Sequence, residues 1–306
     1  MPIDLSGRVA IVTGAGGGLG REHALLLAKR GAKVLVNDLG GSLDGHGASS
    51  TSAERVAEEI RTAGGEAISN GASVTEFDQV QAMVAQATDT WGSVDIIVAN
   101  AGILRDKTFA KMDLEDFRAV LDVHLMGAVH CIKAAWQGMC DRGYGRIVLT
   151  TSATGLYGNF GQSNYGTAKM ALVGLMQTLA LEGARYNIKV NCLAPSAATR
   201  MVEGILSSEQ MDALNPRAVS PAVLALVSNE APTRKIICAG GGAFEQAHIT
   251  LTQGVYVGNG EDAAEQLASQ WEQLADQEGQ LVPEQGFEVS ELELQKAGVK
   301  ANEAAS

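Results

Sequence analysis

Cysteine, proline and aromatic residues are scarce in this chain. The four cysteines (Cys131, Cys140, Cys192 and Cys238) show no C-x-x-C spacing, so neither a disulfide scaffold nor a zinc site is expected, nor any other metal. Prolines number 6 among 306 residues, and the 36 glycines follow no G-X-Y period, which excludes collagen. No apolar run exceeds strand length (residues 94–99 are typical), so no membrane-spanning helix is expected. Residues 1–7 lack the basic and apolar regions of a secretory signal. Cations are outnumbered: 23 Lys and Arg against 35 Asp and Glu leave a net charge of −12. That balance argues against nucleic-acid or anionic-membrane partners and still leaves room for a local basic pocket. Together these absences point to a cytoplasmic protein. What remains, 46% apolar and 19% charged residues, suits one large globular domain.

Short β-branched runs alternate with longer amphipathic stretches. Strands are expected at residues 8–13, 33–37, 66–69, 94–100, 145–150 and 188–193. Helices are expected at 18–30, 52–63, 76–90, 113–140 and 163–186. Strands separated by helices imply βαβ units and an α/β fold of Rossmann type, a doubly wound parallel sheet. Beyond Pro195 the pattern weakens to short helices near 201–213 and 221–228 and a strand at 235–238. The expected organisation is one domain over 1–261, with a substrate lid at about 196–230. Residues 262–306, rich in Glu, Gln and Ala, are expected to be an acidic extension, a helix and then a poorly ordered tail.

The first strand runs into TGAGGGLG, with Gly14, Gly18 and Gly20 in T-G-x-x-x-G-x-G spacing and Leu19 between the last two, and a helix follows. Bare backbone lets a pyrophosphate approach, and the helix N-terminus offers unpaired N–H groups and partial positive charge. Asp38 closes the second strand, eighteen residues after Gly20. A carboxylate there accepts hydrogen bonds from adenosine ribose hydroxyls and repels a 2′-phosphate. Leu39, Gly40 and Gly41 behind it supply no arginine, so NAD is favoured over NADP as cofactor.

Of five tyrosines only Tyr165 has a lysine four residues on, Lys169. On a helix the two share a face, and a neighbouring cation is expected to lower the phenol pKa toward a usable acid/base. Ser152, at the end of the preceding strand, stands where it can hydrogen-bond a reacting oxygen.

Taken together, TGAGGGLG, the NAG of Asn100, Ala101 and Gly102, Ser152, and the Tyr165-x-x-x-Lys169 pair resemble the short-chain dehydrogenase/reductase family, in the family's order, over about residues 5–230. The resemblance implies hydride transfer between an alcohol and a carbonyl on a nicotinamide cofactor. Ser152 would polarise the substrate oxygen, Tyr165 would exchange the proton, and Lys169 would bind nicotinamide ribose hydroxyls and tune Tyr165. Asn100, Ala101, Gly102, Leu19, Pro195 and Thr199 would line the cofactor site. Longer stretches (VNDLGG, NAGILRDKTFAKM, SATGLYGNFGQSNYGTAK and APSAATRM) are similar to the (3R)-hydroxyacyl-CoA dehydrogenase part of peroxisomal multifunctional enzyme type 2 and its bacterial relatives. That branch implies NAD-linked oxidation of a 3-hydroxyacyl-CoA, of fatty or steroid side-chain type, by a homodimer or homotetramer. The further domains of that enzyme are not expected within 306 residues. A free alcohol or hydroxysteroid is the alternative substrate, and a non-catalytic NAD-binding protein the remote one.

Three positions depart from the family pattern. The family's relay asparagine on the long helix is His124 here, which is either a relay group or a packed helix histidine. The acidic residue often found after the third strand is Ala72, and Pro-Gly after the sixth is Pro195-Ser196. Arg105, Lys107, Lys111 and Arg200 are candidate partners for CoA phosphates or else solvated loop charges. Met201, Ile205, Leu206 and Met211 either line an apolar pocket or form the packed face of a helix.

Overall fold

A computed structural model describes residues 2–42, 44, 45, 47, 51–198 and 207–299. The chain divides into two compact units, Met1–Gln246 and Ala247–Ser306, with the division after Gln246; the sequence pattern starts its extension at residue 262.

In the first unit the order is β1 (Val9–Thr13), α1 (Gly18–Lys29), β2 (Lys33–Asn37), α2 (Thr51–Thr62), β3 (Ala67–Asn70), α3 (Phe77–Trp91) and β4 (Ile96–Ala99). Then follow α4 (Leu114–Leu121), α5 (Gly127–Arg142), β5 (Gly145–Thr150), α6 (Ala153–Tyr157), α7 (Ser163–Gly183) and β6 (Ile188–Ser196). Short helices α8 (Ser208–Ala213) and α9 (Ser220–Leu226) precede β7 (Ile236–Gly240) and β8 (Ala243–Ala247). Every residue of β1, β4 and β5 is buried, the pattern of strands covered on both faces by helices. The sheet order is β3-β2-β1-β4-β5-β6-β7-β8, and the pairings from β3 to β7 are all parallel. Only a two-residue turn, Gly241-Gly242, joins β7 to β8, so β8 returns antiparallel on the edge.

Strand order reverses between β1 and β4, and the crevice beyond the carboxyl ends of those two strands is where a doubly wound sheet presents its ligand site. Two elements escaped the sequence pattern because they are too short to show a period: α6, with five residues, and β8, exposed along its first four. The helix expected over 113–140 is not continuous. A π-helical turn, Asp122–Met126, interrupts it, with the Gly127 N–H donating to the Asp122 carbonyl.

In the second unit the described residues form three short helices, α10 (Ala263–Ala268), α11 (Trp271–Leu274) and α12 (Gly286–Lys296), where the sequence pattern suggested one. Leu251 and Leu281 exchange both backbone hydrogen bonds at 2.8 Å, and the Thr252 hydroxyl donates to the Leu274 carbonyl. None of this unit's described residues is buried.

Candidate active site

The glycine turn is held from beneath. The Thr13 hydroxyl at the end of β1 accepts the N–H groups of Asn100 (3.0 Å) and Ala101 (3.1 Å) just past β4. The Asn100 amide donates back to the carbonyls of Thr13 (3.0 Å) and Gly14 (3.2 Å). Asn100 therefore fastens the turn from behind as well as lining the cleft. Gly20, in the first turn of α1, packs on this clamp; a Cβ there would lie 2.7 Å from Asn100 Nδ2 and closer still to the Gly14 carbonyl. Bare backbone is required on the inner side, whereas a Cβ on Gly17 would meet open space. The first N–H groups of α1 have no partner within the helix, and this end suits an anion.

Asp38, past the end of β2, accepts the Gly16 N–H at one carboxylate oxygen and the Gly40 N–H at the other, both at 2.7 Å. Each oxygen keeps capacity for a further donor such as a ribose hydroxyl. After β3, the Ala72 N–H is taken by the Asn70 amide oxygen, and its carbonyl by the Asn37 amide.

At the other side of the switch point, Ser152 caps α6, its hydroxyl accepting the Thr154 N–H at 3.2 Å. α7 carries Tyr165 and Lys169 on one face, with Lys169 Nζ 5.4 Å from the centre of the Tyr165 ring. Lys169 is buried, and its ammonium donates to the Thr150 carbonyl at 2.6 Å. Burial drives its pKa down from 10.5 to about 7. Burial also raises the Tyr165 phenol above its ordinary value, against a Ser152 hydrogen bond that favours the phenolate. The phenol pKa is thus raised, not lowered as the neighbouring Lys169 led the sequence reading to expect. The ammonium is tied to a main-chain carbonyl beside the ring, and burial opposes charge on both groups.

His124 sits in the π-helical turn, 4% exposed. Its Nε2 meets the Ile103 backbone, 3.1 Å from N and 2.8 Å from O, and its ring stands edge-on to Tyr165 with centroids 5.2 Å apart. Burial, with the nearby Lys169 charge, holds its pKa well below 6.5, so the imidazole is neutral. Its Nδ1 has no partner among the described residues. Gly102 makes this placement possible, since a Cβ there would overlap the His124 ring.

These groups line one cleft of about 880 Å³. Gly14, Gly18, Leu19, Gly20, Asp38, Asn100, Ala101, Gly102, His124, Tyr165, Lys169 and Pro195 all border it. Ser152 stands beside Tyr165, close enough to favour its phenolate. Thr199, Arg200, Met201, Ile205 and Leu206 lie outside the described residues, while Met211 reaches the cleft wall. Two candidate phosphate-binding cations are already paired. Arg105 bonds Asp116 (3.0 Å) and the Asp44 carbonyl, and Lys107 bonds Asp113 and Asp116 at 2.8 Å. Sequence reasoning missed Ser52 and Arg55 of α2, which also line the cleft; their i, i+3 spacing behind the glycine-rich loop was the available signal.

The family model for short chain dehydrogenase matches residues 8–210. A short-chain type dehydrogenase/reductase of Mycobacterium tuberculosis is 49% identical over 265 residues, 86% of this chain and 92% of its own. Peroxisomal multifunctional enzyme type 2 of Drosophila melanogaster is 52% identical over 217 residues, 71% of this chain but 36% of its own. The solved full-length structure of that enzyme matches with a TM-score of 0.80 at 36% identity, over 97% of this chain and 51% of that one. A 7α-hydroxysteroid dehydrogenase solved with NADH and 7-oxo glycochenodeoxycholic acid matches with a TM-score of 0.70 at 29% identity, over 78% of this chain and 95% of that one. The matched model, these relatives and the cleft at the switch point of the sheet lead to one conclusion: the chain belongs to the short-chain dehydrogenase/reductase family and is an oxidoreductase.

Proposed function

We propose that the protein oxidises a 3-hydroxyacyl-CoA, of fatty or steroid side-chain type, to the 3-ketoacyl-CoA with NAD as acceptor. The observation that carries the reading is the single cleft in which Asp38, the glycine turn and the Tyr165–Lys169 face meet. Its residues fit a dinucleotide: a cradle that admits no Cβ at Gly14 or Gly20, a helix N-terminus for the phosphates, and a carboxylate with spare acceptor capacity. The nicotinamide, when bound, supplies the two-electron acceptor for the substrate C–H.

The protein's own groups manage the oxygen and its proton. Ser152 and Tyr165 together hold the substrate hydroxyl, and the Tyr165 phenolate takes its proton. Lys169, anchored on the Thr150 carbonyl, presents its remaining N–H groups to the ribose and to Tyr165. His124 fills the relay position; its neutral ring packs against Tyr165, and its free Nδ1 suits a bridging water on the path from Lys169 outward. Thr199 would complete the nicotinamide end, as in the family. The segment around 196–230 would cover the substrate, and residues 262–306 would act as the C-terminal extension.

Homo-oligomerisation is part of the proposal. Leu114 of α4, Met126 beside α5, and Met170 and Leu181 of α7 are exposed apolar side chains on the helices that would meet a second copy. The four cysteines are free, which fits a reducing compartment such as the cytoplasm, and no described helix is long and apolar enough to cross a membrane.

A second reading, oxidation of a free alcohol or hydroxysteroid, is favoured by the carboxylate pairing of Arg105 and Lys107, which leaves fewer free cations for CoA phosphates. NAD reduction with a (3R)-hydroxyacyl-CoA, its free acid and a hydroxysteroid, measured side by side, separates the two. Turnover of the thioester alone supports the first reading; turnover of the uncharged alcohols in its place removes it.

A further inference from the structure

Asp38 is not the sole charged group at the adenosine end of the cleft. Gly16 lies between two side chains of opposite sign: its N–H donates to Asp38 Oδ2 at 2.7 Å, and its carbonyl accepts from Arg55 Nη2 at 3.4 Å. Ser52, one helical turn before Arg55, points its hydroxyl at the same carboxylate, 3.4 Å from Asp38 Oδ1. Gly16 has no side chain to separate them; a Cβ there would lie 2.5 Å from Ser52 Oγ and 2.8 Å from Asp38 Cγ. A carboxylate, a hydroxyl and a guanidinium thus surround the point where an adenosine ribose held by Asp38 would present its 2′ oxygen.

Three cationic side chains line the cleft among the described residues: Arg55, Arg105 and Lys169. Lys169 is fixed to the Thr150 carbonyl, and Arg105 to Asp116 and the Asp44 carbonyl. Arg55 forms no ion pair among the described residues, and its hydrogen bond to Gly16 is longer than a well-made N–H···O bond. The carboxylates near it on α2 are engaged elsewhere: Glu54 and Glu58 by Arg61, Glu59 by Arg21. A planar guanidinium on an exposed stem, weakly held, is free to turn its fork onto a phosphate. Asp38 already accepts two backbone N–H groups, which disperses the charge that would repel such a phosphate.

We propose that Arg55 makes the cleft tolerant of a phosphate on the adenosine 2′ oxygen, so that the protein binds NADP as well as NAD, and that Arg55 is the residue determining this specificity. The proposal rests on the dinucleotide-binding reading above and limits the exclusion that Asp38 alone would impose. Ser52 donates to the carboxylate or to the phosphate, whichever is nearer.

Calorimetric titration of the full chain tests this without turnover, using NAD, NADP, 5′-ADP and 2′,5′-ADP as the titrants. The wild-type chain binds NADP and 2′,5′-ADP measurably. Arg55→Ala weakens both by roughly tenfold, the usual scale for one partly exposed charge-assisted contact, and changes NAD and 5′-ADP by less than about twofold. Arg55→Lys recovers part of the loss. Equal weakening of all four ligands would mean that Arg55 serves the pyrophosphate or the fold, and would overturn the proposal. So would no change at all, or NAD binding without NADP binding in the wild-type chain. Failure of both dinucleotides to bind the wild-type chain would instead remove the underlying reading, and this proposal with it. Thermal unfolding of each variant checks that α2 is intact.

Discussion

Replacing Lys169 by methionine should abolish turnover and yet stabilise the protein at neutral pH. The side chain is 3% exposed, and burial lowers its pKa from 10.5 to about 7. The unfolded chain therefore binds more protons than the folded one between those values, and wild-type stability rises with pH across that window. From those two pKa values, holding this lysine in the fold costs about 4 kcal/mol at pH 7 and about 1 kcal/mol at pH 10. Methionine escapes that cost but leaves the Thr150 carbonyl without its 2.6 Å partner, a loss of about 1–3 kcal/mol. The net expectation is a variant more stable by about 1–3 kcal/mol at pH 7, with its melting temperature raised by about 2–5 °C. At pH 10 it should be equal to or less stable than wild type. Urea unfolding of both proteins at pH 7 and pH 10 measures the difference. A variant less stable at pH 7, or an advantage that does not shrink with rising pH, would refute the argument that burial strains this lysine.

Because burial raises the Tyr165 pKa and oxidation needs the phenolate, kcat/KM for alcohol oxidation should climb from neutral to alkaline pH. A pH profile falling over that range would contradict this. Gly102→Ala puts a methyl into the His124 ring and should cost about 1–3 kcal/mol in urea unfolding, with a loss of turnover that Ala101→Gly does not share. Thr13→Val removes the acceptor of two N–H groups, those of Asn100 and Ala101. It should destabilise by about 2 kcal/mol or more and weaken dinucleotide binding in a calorimetric titration.

Much of the architecture is legible in sequence because each signal is local. The apolar strands at 9–13 and 96–99 could only be covered on both faces, and β2 and β5 begin and end where β-branched periodicity puts them. The glycine turn, Asp38 and the Tyr165–Lys169 pair are likewise set by spacing along single elements. What was hidden depends on contacts between distant residues. Arg55 reads as an ordinary charge on a helix until the fold brings it to Gly16. The break at Asp122–Met126 carries His124, whose ring lies against Gly102, a pairing across 22 residues. Proximity of a lysine to a tyrosine suggested a lowered phenol pKa, but burial, which no short stretch of sequence reveals, acts the other way.

The claim that Tyr165 moves the proton in a dinucleotide-dependent oxidation is tested most directly with Tyr165→Phe, by measuring turnover and dinucleotide affinity on the same preparation. The account predicts a loss of turnover of about 10²-fold or more, with dinucleotide affinity and thermal stability kept near wild type. Full turnover by Tyr165→Phe would contradict it.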